Sequence, residues 1–281
     1  MAASASSPPP SAIVTRLRAA GCVFAEDEAR LLISAASTPA DLAAMVDRRA
    51  AGQPLEHVVG WAKFCGLRIA VDPGVFVPRR RSEFLVRQAV GLAGRPAAAS
   101  HSGQAGPAAV IVDLCCGSGA LGAAVTAALD RAELHAADVD PAAVRCARRN
   151  LAACDGRVYE GDLYQPLPST LRGRVGILLA NVPYVPTEAV QTLPPEARLH
   201  EARLALDGGP DGLDVLRRVT AAAPRWLAPG GHLLIETSER QASRAAEAFT
   251  RHGLAARVVS SADLNATVII GTRPVRPAPA G

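Results

Sequence analysis

From residue 110 toward the C-terminus, short apolar β-prone segments alternate with segments whose apolar residues recur at helical spacing. Helices are predicted at 120–129 and 141–151, and strands at 110–114, 134–139, 157–160, 176–180, 232–236, 256–260 and 267–271. Alternation at this pitch favours a mostly parallel sheet that is covered by helices on both faces. Ligands of such sheets bind at the carboxyl ends of the strands, so the segments that follow the strands are the candidates for a functional site.

The N-terminal third has a different pattern. Apolar residues at helical spacing from 13 to 52 predict a small helical domain, in which Thr38-Pro39-Ala40-Asp41 is a helix start. β-prone pieces around Gly60 and Gly66 predict a hairpin, and 82–92 returns to helix. The predicted organisation is a disordered tail at 1–12, a helical domain at 13–57, a β-hairpin linker at 58–81 and an α/β domain at 82–275, with a flexible Gly, Ala, Pro and Ser-rich loop at 93–109.

Composition narrows the class of protein. With 281 residues, 49% of them hydrophobic, the chain can form one full-sized domain and a smaller one. The net charge is +4, and no dense basic tract stands out beyond Arg79-Arg80-Arg81, which is expected to be a solvated loop, so direct nucleic-acid binding is not favoured. The cysteines lack zinc-site spacing, the first residues lack a signal sequence, and no apolar run approaches about 18 residues. These features predict a cytoplasmic protein without a metal site or a membrane partner.

The segment after the first predicted strand, Val112-Asp113-Leu114-Cys115-Cys116-Gly117-Ser118-Gly119-Ala120-Leu121-Gly122, contains the pattern G-x-G-x-x-G. By itself the pattern is weak evidence for a dinucleotide site. Here the acid Asp113 lies near the end of the strand, two further residues, Cys115 and Cys116, precede the glycines, and a carboxylate at this place would repel a pyrophosphate. It would attract a cationic ligand, such as the sulfonium and amino group of S-adenosylmethionine.

Acidic residues also follow the next two predicted strands. Asp138 ends the second strand and is expected to accept hydrogen bonds from both hydroxyls of a ribose, while Asp140 is predicted to cap the following helix. Asp162 follows the third strand and is expected to meet the amino group of an adenine, with Leu163 against the ring. The alternative is that these acids are only caps and surface residues.

The fourth predicted strand is followed by Asn181-Val182-Pro183-Tyr184, which resembles the N-P-P-Y sequence of methyltransferases that act on a planar amide or amino nitrogen. Such a nitrogen is a poor nucleophile, because its lone pair is delocalised. The side-chain oxygen of Asn181 and the main-chain carbonyl of Val182 are expected to accept one hydrogen each from the target NH2 group, which lets the nitrogen pyramidalise toward the methyl group. Tyr184 is expected to stack on the planar group.

Three N-terminal segments extend the resemblance over most of the chain, from about residue 25 to 271. They are Gly52-Gln53-Pro54-Leu55-Glu56-His57-Val58-Val59-Gly60, Phe64-Cys65-Gly66-Leu67 and Val75-Phe76-Val77-Pro78-Arg79-Arg80-Arg81-Ser82-Glu83. They resemble the G-x-P-[LI]-x-[YH]-[IV]-x-G, F-x-G-L and L-I-P-R-P-x-T-E signatures of the protein-(glutamine-N5) methyltransferases of the PrmC/HemK family. The order and combination of these segments are specific, since a helical domain and a hairpin are not general features of methyltransferases.

The resemblance implies a class I S-adenosylmethionine-dependent methyltransferase fold, Rossmann-like, with an N-terminal helical domain for substrate recognition. It implies methylation of the glutamine in the Gly-Gly-Gln motif of bacterial peptide-chain release factors. By the resemblance, S-adenosyl-L-methionine would be bound by Cys115, Cys116, Gly117, Ser118, Gly119, Asp138, Leu163 and Asn181. The positions of the acids after the strands add Asp162 to this predicted donor site, with Asp113 near the cationic end of the donor. The segment from Asn181 to Tyr184 would hold the glutamine amide.

The sequence departs from the family pattern at several positions. We call the turn Cys115–Gly119, which is predicted to bind the methyl donor, the donor loop. Cys115 stands where the first glycine of this loop is expected, Val182 replaces the first proline of N-P-P-Y, and Arg80 and Ser82 replace a proline and a threonine. These changes, with a long segment before the first strand, indicate a divergent branch. Two other functions remain open: methylation of an adenine or cytosine amino group in nucleic acid, and a non-catalytic protein that binds the translation machinery.

Overall fold

The computed structural model describes residues 8–93 and 108–275. The predicted loop at 93–109 lies almost wholly outside these ranges, as does the predicted tail up to residue 7. The tail prediction at 8–12 is wrong in part, because the first helix begins at Pro10. Proline is well placed there, since the first turn of a helix needs no donor from its main-chain nitrogen.

Four helices form the N-terminal unit: α1 (Pro10–Ala19), α2 (Ala25–Ala35), α3 (Pro39–Ala50) and α4 (Leu55–Val59). The predicted start of α3 is confirmed, since the Thr38 hydroxyl accepts a hydrogen bond from the main-chain nitrogen of Asp41 at 3.1 Å. Leu17, Leu32 and Met45 face one another in a separate small core. The apolar spacing therefore produces a unit with an interior of its own.

A two-stranded antiparallel hairpin follows, with β1 (Trp61–Phe64) and β2 (Leu67–Ala70). Cys65 and Gly66 form its turn with φ of 47° and 79°. Positive φ at both central residues is the geometry that matches the twist of a two-residue hairpin. The hairpin predicted from the sequence is confirmed.

The remaining strands form one seven-stranded sheet in the order β5-β4-β3-β6-β7-β9-β8. All neighbours pair in parallel except β9, which is antiparallel to β7 and β8. Their bounds are β3 (Ala109–Leu114), β4 (Ala132–Asp138), β5 (Arg157–Glu160), β6 (Val175–Ala180), β7 (Leu227–Thr237), β8 (Ala255–Ser261) and β9 (Ala266–Thr272). The chain runs outward from β3 through β4 to β5, then returns to place β6 on the other side of β3. The carboxyl ends of β3 and β6 are therefore the switch point where such sheets bind ligands.

Helices cover both faces of the sheet. They are α5 (Glu83–Ala93), α6 (Ala120–Ala127), α7 (Pro141–Leu151), α9 (Asp214–Trp226) and α10 (Ala242–Arg251), while the short helix α8 (Pro195–His200) has no buried residues. Alternate residues of the central strands enter different cores: Val112 packs in the core that contains α9 and α10, and Ile111 packs in the core of α5, α6 and α7. The predicted α/β architecture is confirmed. Within the described residues, no helix is long and apolar enough to cross a membrane.

Candidate active site

A cavity of about 400 Å³ opens at the carboxyl ends of β3, β4 and β6. Most of the residues that the sequence predicts for the site line it together: Cys115, Cys116, Gly117, Ser118, Asp138, Asp162, Leu163, Asn181, Val182, Pro183 and Tyr184. Asp113 and Gly119 do not belong to its wall. The cavity thus brings the predicted donor loop together with Asn181–Tyr184, which we call the acceptor turn because it is predicted to hold the acceptor.

The loop after β3 turns sharply to form the floor of the cavity. Cys115, Gly117 and Gly119 have φ of 53°, 54° and 78°. A left-handed conformation is cheap for glycine and costs about 1–2 kcal/mol for other residues. The turn therefore forms without its first glycine, with Cys115 in the strained conformation that explains why a glycine is expected there.

The cysteine thiols of this loop are held in the neutral form. Burial raises the pKa of the Cys115 thiol, and the nearby carboxylates of Asp138 and Asp113 raise it further. The pKa of Cys116 is raised well above its ordinary value for the same reasons. Reactivity of a thiol depends on its thiolate form, so both side chains act as small apolar groups in the cavity wall.

Asp138 fixes the shape of the donor loop. Its Oδ2 accepts a hydrogen bond from the main-chain nitrogen of Gly117 at 2.8 Å, and its Oδ1 accepts one from that of Asp140 at 2.9 Å. Burial raises the pKa of this carboxyl, while the two main-chain donors oppose the shift. The predicted helix cap at Asp140 is confirmed, because Oδ1 of that residue accepts from Ala142 at 2.8 Å.

Asp162 has a partner that the sequence did not indicate. Its carboxylate forms an ion pair with Arg218 of α9, and both residues line the cavity. Leu163 has φ of 49° and packs against the core beneath α9. An apolar side chain and a paired carboxylate thus lie side by side at this end of the cavity.

Asp113 is placed differently from the prediction. Its side chain is fully buried beneath the donor loop, and Oδ2 accepts a hydrogen bond from the main-chain nitrogen of Gly122 in α6 at 2.9 Å. Burial raises the pKa of the carboxyl to about 7. The predicted contact with the cationic end of a donor is not supported by this placement, because strand alternation directs the side chain toward α6.

Asn181 directly follows β6 and lines the cavity. Its side-chain oxygen is buried and receives no hydrogen bond from the described residues. A buried polar atom without a partner costs about 1–3 kcal/mol, so native structures keep few of them. The amide oxygen is therefore an acceptor available to a donor group brought by a ligand.

Tyr184 is anchored by a buried carboxylate for which the sequence pattern gives no signal. Its hydroxyl donates to Oε1 of Glu236 at 3.1 Å, and the side chain of Glu236 is 2% exposed. Burial and the nearby carboxylate raise the pKa of the Tyr184 hydroxyl. The Arg81 guanidinium donates to the same Oε1 from Nε at 3.0 Å and lies over the Tyr184 ring, 5.7 Å from its centroid.

The expectation that Arg79-Arg80-Arg81 is only a solvated loop is wrong in part, because two of the three side chains pair with buried carboxylates. Arg79 forms hydrogen bonds of 2.6 Å to both carboxylate oxygens of Glu201, whose side chain is fully buried. Arg79 and Arg81 also line the cavity. The triplet follows the hairpin, and folding brings it against segments more than a hundred residues away in the sequence. The local sequence around the triplet gives no signal of these partners.

The N-terminal helices reach the cavity through a buried arginine. Arg49 of α3 donates to Glu28 of α2 at 2.6 Å and to Glu196 of α8 at 2.6 Å. Glu196 lines the cavity, whereas Arg49 is 7% exposed. This ionic link joins the helical unit to the wall of the site.

The hairpin is tied to the donor loop by Asn150 of α7. Its Nδ2 donates to the main-chain oxygens of Ala70 and Ser118, both at 2.8 Å, and its Oδ1 accepts from the Ala70 nitrogen at 2.9 Å. Phe64 of the hairpin also lines the cavity. The two N-terminal elements are thus parts of the site and not appendages to it.

A parallel sheet with an antiparallel final strand, a left-handed loop after β3, a carboxylate after β4 and an Asn-x-Pro-Tyr turn after β6 define a class I methyltransferase. Residues 101–210 match the family model described as "Methyltransferase small domain". A methyltransferase from Pyrococcus furiosus has the same fold, with a TM-score of 0.53 and 15% identity over 75% of this chain and 90% of that one.

The more specific similarity lies in sequence. The chain is 38% identical over 242 residues to the "Release factor glutamine methyltransferase" of Mycolicibacterium smegmatis. The matched region covers 85% of this chain and 82% of that protein. It therefore belongs to the release factor glutamine methyltransferase family. A relative from Streptomyces pristinaespiralis, named 4-amino-L-phenylalanine/4-methylamino-L-phenylalanine methyltransferase, is 35% identical over 74% of this chain and 69% of that protein.

Proposed function

We propose that this protein transfers a methyl group from S-adenosyl-L-methionine to the side-chain amide nitrogen of the glutamine in the Gly-Gly-Gln motif of a peptide-chain release factor. The acceptor would be met in the cytoplasm, where translation ends. The observation that carries the proposal is the buried side-chain oxygen of Asn181, which has no partner among the described residues and stands on the wall shared with the donor loop. An amide NH2 group supplies the hydrogen that this oxygen lacks.

The residues of the donor end fit S-adenosyl-L-methionine. The turn from Cys115 to Gly119 brings main chain to the cavity floor, Asp138 presents a carboxylate suited to ribose hydroxyls, and Leu163 offers an apolar surface to an adenine ring. When bound, this cofactor supplies an electrophilic methyl group. Asp162 already forms an ion pair with Arg218. A hydrogen bond from the adenine amino group to Asp162 would therefore have to form next to that arginine.

At the acceptor end, the chain orients and does not ionise the nucleophile. Asn181 and the Val182 carbonyl would each accept one hydrogen of the target NH2 group, which fixes its rotation and supports pyramidalisation of the nitrogen. Tyr184 forms the adjoining wall and is held in place by Glu236. No general base is needed before transfer, because the proton can leave the methylated amide afterwards. Orientation of the reactants supplies several kcal/mol of the acceleration.

The N-terminal helical unit is proposed to recognise the protein acceptor. Its link to the site is the contact of Arg49 with Glu196, a residue of the cavity wall. A protein substrate that docks on this unit would present its loop to the cavity mouth.

The experiment is to incubate the protein with isotopically labelled S-adenosyl-L-methionine and an intact release factor, then locate the label by mass spectrometry. We expect one methyl group on the glutamine of Gly-Gly-Gln, and none on a release factor in which that glutamine is replaced by glutamate. Label on another residue, or none on either factor, would contradict the proposed acceptor.

The donor is tested separately by calorimetry. Asp138→Ala removes the proposed acceptor of two ribose hydroxyls, and hydrogen bonds to charged groups contribute about 1.5–3 kcal/mol each. We expect the dissociation constant for S-adenosyl-L-methionine to rise at least about tenfold in the variant. An unchanged constant, or tight NAD binding by the parent protein, would refute the donor assignment.

A small aromatic amine is a second candidate acceptor. It is favoured by the similarity to the relative named for 4-amino-L-phenylalanine. The amino nitrogen on the aromatic ring of that compound also has a delocalised lone pair. The same assay with 4-amino-L-phenylalanine in place of the release factor distinguishes the two.

A further inference from the structure

Arg81 presents unused hydrogen-bond donors at the acceptor end of the cavity. It forms one hydrogen bond with the described residues, from Nε to Oε1 of Glu236 at 3.0 Å. The N–H groups on its two Nη atoms have no acceptor there. The side chain is 43% exposed and lines the cavity together with Asn181 and Tyr184.

The position of this guanidinium is fixed from two sides. Glu236 holds Nε, and the ring of Tyr184 lies beneath the planar group at 5.7 Å from Cζ to the ring centroid. Because the same Glu236 oxygen also accepts the Tyr184 hydroxyl, the arginine and the tyrosine are held by one buried carboxylate. A preorganised arginine loses little side-chain entropy when it binds a further acceptor.

The charge balance indicates what kind of acceptor group fits. The pair of Arg81 and Glu236 carries no net charge, so a phosphate or carboxylate at the Nη atoms would add an uncompensated negative charge close to the buried Glu236. A neutral carbonyl oxygen adds none. A peptide that enters the cavity brings main-chain carbonyl oxygens that lose their water and need such donors.

We propose that Arg81 is a specificity-determining residue of the acceptor site, which donates from its Nη atoms to a main-chain carbonyl oxygen next to the methylated glutamine. This inference rests on the proposed function. It explains how a glutamine within a peptide would be preferred over free glutamine, which has a charged carboxylate in place of its own main-chain amide carbonyl and no carbonyl on its amino side.

The test compares Arg81→Met with Arg80→Met in the intact chain, using a synthetic peptide that contains Gly-Gly-Gln. Arg80 is exposed, lies next to Arg81 and does not line the cavity, so its substitution controls for loss of charge. For Arg81→Met we expect the KM for the peptide to rise by about tenfold or more, as loss of a charged hydrogen bond implies. We expect kcat to stay within about threefold and the dissociation constant for S-adenosyl-L-methionine to be unchanged. Arg80→Met should match the parent.

Two further measurements separate binding from damage to the fold. Arg81→Met leaves the buried Glu236 without its cation, so the double variant Arg81→Met/Glu236→Gln, which removes that charge, must show the same rise in KM. Peptides in which the bond before or after the glutamine is reduced to an amine lack one carbonyl each, and with one of them Arg81→Met should have no further effect.

The outcomes distinguish this inference from the proposed function. If the parent protein does not methylate the Gly-Gly-Gln peptide or the intact release factor, both are overturned. If the parent does so and Arg81→Met keeps the parental KM, or both reduced peptides still show the full effect of Arg81→Met, only the role of Arg81 is overturned.

Discussion

Gln241 donates a hydrogen bond from Nε2 to the main-chain oxygen of Tyr184, with 2.9 Å between the two atoms. The same nitrogen donates to the main-chain oxygen of Asp211 at 3.0 Å. One side chain after β7 therefore joins the acceptor turn after β6 to a glycine-rich loop that precedes α9. The geometry of the turn therefore depends on this loop.

Gly212→Ala should displace the acceptor turn. Gly212 has φ of +74°, and an added Cβ would lie 2.3 Å from the main-chain oxygen of Tyr184 and 2.4 Å from Nε2 of Gln241. Since a shift of about 1 Å in reacting groups can lower a rate about a hundredfold, we expect methyl transfer to fall by at least about tenfold. Gly173→Ala is the matched control, because Gly173 has φ of +73° and nothing within 4 Å of the added atom. Equal activity of the two variants would show that the loop does not position the turn.

Asn181→Ala should lower the rate of methyl transfer and leave donor binding nearly intact. Loss of one preorganised polar contact made in the transition state typically reduces turnover by about two to three orders of magnitude. Single-turnover transfer to the release factor, together with calorimetry of S-adenosyl-L-methionine, measures the two effects separately. A variant that transfers at the parental rate would show that the turn after β6 is structural only.

Val182→Pro should preserve or raise activity. The substitution keeps the main-chain carbonyl that is proposed to accept a hydrogen from the target nitrogen, and it restores the residue found in N-P-P-Y. The side chain of Val182 is 1% exposed, so the ring must fit a packed space. A proline also requires an extended conformation at Asn181. Single-turnover rates decide the matter: a loss as large as that of Asn181→Ala would mean that the carbonyl has moved.

The Asp113→Asn variant should gain free energy of unfolding, relative to the parent protein, as the pH rises. Burial raises the pKa of Asp113 to about 7 in the folded state, well above its value of about 3.9 in an unfolded chain. The folded protein then binds more protons than the unfolded one between these values, so the parent loses stability as the pH rises through this window. Between pH 5 and pH 7 the parent loses roughly 2–3 kcal/mol of its free energy of unfolding. The variant does not lose this contribution, because asparagine does not titrate. Urea unfolding of both proteins at pH 5 and pH 7.5 tests this, and a difference that does not vary with pH would contradict it.

Helices, strands and turns that depend on interactions between neighbouring residues could be predicted from the sequence. The helix at 141–151 and the strand at 157–160 have the predicted bounds, because the cap at Asp140 and the apolar spacing act within a few residues. The donor loop and the Asn181 turn were predicted from short motifs, each of which directly follows a strand. Their meeting in one cavity follows from the parallel sheet, in which carboxyl ends share an edge.

Pairings between distant segments could not be predicted. Arg79 meets Glu201 across 122 residues, and Arg81 meets Glu236 across 155. A charged residue has many opposite charges available along the chain, and only the packed fold decides which one becomes buried beside it.

The sequence by itself determined the fold class, the order of the helices and strands, and the family to which the chain belongs. The reason is that apolar periodicity, turn residues and short motifs each involve residues that are close together in the sequence. What only the tertiary structure decided is the direction of individual side chains. Asp113 lies in the predicted strand, yet it contacts α6 and not the cavity. Alternation along a strand assigns neighbouring side chains to opposite faces, but the helices that pack on each face decide what those side chains contact.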